Sequence, residues 1–99
     1  MLDPLQKQDY FHTMQTPITV STSATRLVPS VPTRKGVILQ SSADIYVSFC
    51  GDDTVDTTKG FLIHSGQVVW FSDDLGRAKD AIYAVTASGT GTVKIEEVW

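Results

Sequence analysis

From Ile18 to Val98 the chain never runs through more than a few apolar residues before Gly, Pro, Ser, Thr or Asp interrupts it. Such spacing suits short strands joined by turns, and it leaves no segment long enough for the helical crossover that a parallel sheet needs. Val (11), Ile (6) and Thr (12) make 29 of the 99 residues β-branched, a type that loses side-chain freedom in a helix and packs well on a pleated surface. The expected fold class is all-β. Strands this short, each with one apolar face, bury those faces most simply by stacking two antiparallel sheets. The reading is therefore a β-sandwich of about eight short strands, jelly-roll or Ig-like, with a small barrel as the alternative.

Along the chain, Ile18 and Val20 alternate with Thr19 and Ser21, and residues 26–28 form a brief strand that Pro29 and Pro32 confine to a sheet edge. Residues 36–40 are a nearly continuous apolar run. In residues 45–49, Ile45, Val47 and Phe49 alternate against Tyr46 and Ser48, the clearest strand pattern in the sequence. Residues 51–59 hold Asp52, Asp53 and Asp56 and read as a surface loop. Residues 61–64 and 67–71 flank Ser65 and Gly66, which predicts a tight hairpin. Residues 72–80 read as a loop with at most one helical turn. Residues 81–86 and 92–98 form a last strand pair. The expected core is Ile18, Val20, Leu39, Ile45, Val47, Phe49, Phe61, Ile63, Val68, Trp70, Ile82, Val93 and Ile95.

The first 16 residues differ from the rest. Asp3, Pro4 and Gln6 have the form of a helix start, so residues 4–12 could make a short helix. Leu2, Leu5, Tyr10, Phe11 and Met14 are too sparse for a core of their own, yet too apolar for a tail meant for water. The segment reads as an arm, residues 1–16, beside a sandwich domain of residues 17–99, either docked locally or packed on another subunit.

Charge and cysteine usage exclude several roles. A net charge of -3 offers no basic surface for a nucleic-acid backbone. No apolar run reaches the roughly 20 residues needed to cross a bilayer, and the first eight residues lack a secretory signal pattern, so a soluble chain is expected. Cys50 is the lone cysteine, which excludes an internal disulfide and a Cys-based zinc site. At this size the stabilising core is small, so association with further copies is a reasonable expectation.

Catalytic constellations are missing from the sequence. Nothing orients Cys50 toward His12 or His64, and neither His lies at metal-ligand spacing from the other. The Asp residues of the two acidic loops read as turn formers, with calcium a minor alternative. Gly89 and Gly91 lead into a strand, not a helix, so they read as a loop rather than a phosphate cradle. Arg34 reads as a loop cap or salt bridge, or as a contact to an acidic neighbour. Tyr46, Phe71, Tyr83 and Trp99 fall out of phase with the core, so they belong to outer faces, as an interaction surface or as residues half-covered by loops. The expectation is a protein with no enzymatic activity, cofactor or metal.

Several segments carry a resemblance. Thr22 and residues 24–29 (ATRLVP), residues 34–40 (RKGVILQ), residues 45–49 (IYVSF), residues 60–63 (GFLI) before Ser65 and Gly66, and residues 81–85 (AIYAV) before Ser88, Gly89 and Thr90 resemble small β-sandwich virion proteins of tailed bacteriophages. The likeness spans about residues 17–98. It implies a structural capsid decoration (cement) protein on the outer surface of the phage head, a homo-oligomer of two or three copies bound to the major capsid protein. A head-fibre, neck or tail-attached component, or a module binding host or carbohydrate, is the alternative, with exposed Trp70 or Trp99 as its platform. The candidate interface residues are Leu2, Leu5, Tyr10, Phe11, Arg34, Tyr46, Tyr83 and Trp99.

Overall fold

The computed structural model describes residues 12–72 and 79–99. Nine short strands and no helix make up the described residues: β1 (His12–Met14), β2 (Ile18–Val20), β3 (Thr25–Val28), β4 (Gly36–Ser41), β5 (Ile45–Ser48), β6 (Phe61–Ile63), β7 (Val68–Ser72), β8 (Ile82–Val85) and β9 (Gly91–Val98). They form two antiparallel sheets. One has the order β1-β9-β4-β7, with β2 also paired to β9; the other has the order β3-β8-β5-β6. The all-β sandwich expected from the sequence is the fold observed.

The connectivity selects among sandwiches. Counting β1 and β2 as one interrupted first strand, every connection passes from one sheet to the other except β5 to β6. That is jelly-roll winding, in which strands adjacent in sequence face one another across the core instead of pairing.

Two expected hairpins are thereby corrected. β6 pairs with β5 and β7 with β4, so Ser65 and Gly66 carry the chain between sheets instead of closing a two-stranded ribbon. The turn itself forms as its residues dictate: Gln67 N–H donates to His64 O at 3.0 Å, and Gly66 takes φ +80° at the position where a type II turn demands it. β8 and β9 likewise lie in different sheets.

The core is the alternating inward set of both sheets: Val20, Val37, Leu39, Val93 and Ile95 from one, and Leu27, Val28, Ile45, Val47, Ile63, Ile82 and Ala84 from the other. Ile18, Phe49 and Val69 pack against it, half-buried. Three residues expected in the core are exposed instead. Val68 and Trp70 point outward because Val69 is the residue opposite Leu39, which sets the phase of β7. Phe61 keeps the inward phase opposite Val47 but stands at the sheet edge, exposed, with its ring centroid 6.1 Å from that of Phe49.

Thr13 and Met14 extend the first sheet, opposite Glu97 and Glu96 of β9, so the end of the expected arm joins the sandwich as a strand. His12, the last residue of the expected helix, is in that strand; residues 4–11 lie outside the described residues.

Candidate functional site

The two outer faces of the sandwich are covered differently, and the difference begins in the loop of residues 49–60. Asp52 accepts hydrogen bonds from Thr54 N–H (2.8 Å) and Thr54 Oγ1 (2.6 Å), and Lys59 Nζ stands 3.2 Å from it. These bonds, those from Thr54 first, lower the Asp52 carboxyl from 3.8 to about 2. Asp56 accepts from the backbone N–H groups of Lys59 and Thr58 at 2.9 Å each, and these lower its pKa as well. The loop so ordered buries Val55, and Gly60 is wedged between Val55 and Tyr46 of β5. Loop and sheet together leave Tyr46 half-buried and Val85, its cross-strand neighbour, buried. Asp52 and Asp56 thus act as turn formers.

The other sheet has no such cover among the described residues. Its register places Met14, Glu96, Ile38 and Trp70 in one row across β1, β9, β4 and β7, with Lys94, Gln40 and Val68 in the next row. Met14 is 64% exposed, Val68 57% and Trp70 69%. A shallow depression of about 170 Å³ lies among Met14, Ile38, Gln40, Val68, Lys94 and Glu96. His12 Nδ1 lies 2.6 Å from Glu96 Oε2 at its rim. The face is mixed: Met14, Ile38, Val68 and Trp70 supply its apolar surface, with Glu96 between Met14 and Ile38 and with Lys94 and Gln40 in line with Val68.

Arg34, expected as a loop cap, salt bridge or interface contact, is fully buried, and it both caps loop carbonyls and forms a salt bridge. Its Nη1 donates to Glu97 Oε1 at 3.0 Å and to Pro29 O at 2.8 Å, and its Nη2 donates to Asp80 O at 2.6 Å. An enclosed guanidinium cannot touch a neighbour, so Arg34 leaves the set of interface residues. Glu97 was not singled out in the sequence, although it continues the inward alternation of Val93 and Ile95.

Tyr83 and Trp99 are half-buried, and Trp99 Nε1 donates to Thr13 Oγ1 at 3.2 Å. Leu2, Leu5, Tyr10 and Phe11 lie outside the described residues, as do Asp73 and Asp74. The sequence reading had Met14 in the arm that could pack on another subunit, missed Val68 as a surface group, and placed Trp70 in the core while weighing it as a platform.

Nothing reactive gathers elsewhere among the described residues. Cys50 is exposed, with Sγ 3.6 Å from Ser48 Oγ. His64 Nδ1 is 3.9 Å from Asp44, and His12 is engaged by Glu96. Among the described residues no three His, Cys, Asp or Glu side chains are placed to hold a metal ion. No family model, no curated protein and no solved structure matches the chain.

Proposed function

We propose that this protein is a structural virion subunit, a capsid decoration (cement) protein that binds the outer surface of a tailed-phage head and stabilises the major capsid protein lattice. The observation that carries the reading is the open sheet face on which Met14, Val68 and Trp70 stand clear of the protein. Large apolar side chains left exposed together on one face mark a surface with a partner. The segments that resemble phage virion proteins supply the class of partner. A rigid sandwich that binds at many equivalent lattice positions adds modest contacts into a large gain in shell stability.

Expression together with the particle tests this. Copurification in hundreds of copies over the head surface supports decoration, and shells without the protein should open at lower temperature. A few copies at a single vertex would instead assign a neck, fibre or tail position.

One observation favours a second reading, a carbohydrate-binding module: Trp70 presents an exposed indole on a sheet face, the form of a stacking platform for a sugar ring. A saturable change in tryptophan fluorescence with a glycan, abolished in Trp70→Ala, would support it; a blank glycan array would remove it.

A further inference from the structure

We infer that the edge of β7 left unpaired among the described residues is a pairing site for the same strand of a second copy, so that two chains share one continuous sheet. The backbone pattern shows which groups are available. Ser42 N–H donates to Thr92 O toward β9, whereas Ser41 O accepts from Gly66 N–H on the β7 side. Alternation along β4 then turns Val37 and Leu39 toward β7, opposite Phe71 and Val69. The amides and carbonyls of Val68, Trp70 and Ser72 therefore face away from β4, and β7 pairs with no other strand among the described residues.

The other sheet edges carry devices that discourage pairing. β3 is irregular between Arg26 and Val28 and is followed by Pro29. The edge formed by β1 and β2 is interrupted at Pro17, and β6 has only three residues. Residues 68–72 (VVWFS) contain no charge, no Pro and no Gly.

The occupant follows from that neutrality. In a two-fold antiparallel pairing each residue meets its counterpart, which penalises a charged strand and leaves this one unopposed. Centring on Trp70 sets Trp70 against Trp70 of the second copy and Val68 against Ser72. All three opposed pairs are of the hydrogen-bonded kind, giving about six bonds between chains. The row of Met14, Glu96, Ile38 and Trp70 then continues across the two-fold axis, with Ile38 and Trp70 of each copy meeting at its centre and the exposed face doubled. The pairing does not depend on what that face binds.

Sedimentation of the full chain tests the pairing. The wild type should sediment as a dimer, and the double variant Val68→Lys/Trp70→Lys should fall to half that mass. Val68→Pro, which removes an outward-facing N–H without adding charge, should do the same and serves if the double variant loses its fold. Met14→Lys should remain dimeric, since Met14 lies on the face and away from the edge. A wild type that stays monomeric at every concentration, a Val68→Pro dimer, or a dimer split by Met14→Lys would each overturn the inference.

Discussion

Arg34 and Glu97 meet inside the sandwich, Nη1 to Oε1 at 3.0 Å, with side-chain exposures of 0% and 7%. Glu97 stands in the inward row of β9 behind Val93 and Ile95, where an apolar residue would be expected, and its second oxygen accepts from Gln15 Nε2 at 2.8 Å. The guanidinium ties β9 to Pro29, which follows β3, and to Asp80, which precedes β8. One side chain thus joins both sheets at the end of the core.

Breaking this pair from one side should be severe. Arg34→Met or Glu97→Met leaves a buried charge without its partner, with an expected loss of about 3–5 kcal/mol. The double variant should lose less than the sum of the two, because no charge is left buried. Chemical denaturation midpoints of the three variants check this, and additive losses would show that the two residues act separately.

Trp70 and Ile45 should respond oppositely to truncation. Ile45 is fully buried, so Ile45→Ala should cost about 2–5 kcal/mol. Trp70 is 69% exposed in the single chain, so Trp70→Ala should change the stability of that fold by no more than about 0.5 kcal/mol, any further loss coming from pairing between copies. The same Trp70 variant should weaken binding to the partner. Thermal melts paired with a particle-binding assay separate the two effects.

The Asp52 loop should make stability sensitive to strong acid. The folded protein holds this carboxyl at about 2 against an ordinary 3.8, so the ionised form is favoured by folding. Its contribution is present in full above the ordinary value and is lost as pH falls toward 2. Asp52→Asn should be less stable than wild type near neutrality, and the difference should close below pH 3.8. Denaturation series at several pH values read this directly, and a constant difference would exclude the linkage.

Gly60 should not accept a side chain. A Cβ there would lie 2.8 Å from Tyr46 Cβ and 2.9 Å from Asp56 O and Val55 Cγ2. Gly60→Ala should cost about 1–3 kcal/mol through overpacking. The loop would lift from the sheet, and Tyr46 fluorescence or amide exchange around Val55 would report it.

How far the sequence could be read depended on the strand. Where polar residues alternate with apolar ones, as in residues 45–48, the inward face was legible, and Ile45 and Val47 are in the core. In β7, Val68, Val69, Trp70 and Phe71 are apolar on both faces, so periodicity carried no phase, and Trp70 was assigned to the wrong side. The exposed face went unseen for the same reason. Tyr46 lay on an outer face as its phase required, but its cover came from Val55, a residue in a loop that reads as wholly polar apart from that one side chain.

The amino-acid sequence by itself determined that the chain is β, that its strands are short, where most of its turns fall and that its sheets are antiparallel, because these follow from local sterics and a two-residue period. Only the tertiary structure decided which strands pair, which face of β7 meets water, and that Arg34 and Glu97 close on one another. Those outcomes depend on contacts between residues distant in sequence, 63 positions apart for Arg34 and Glu97, and no local pattern holds that information.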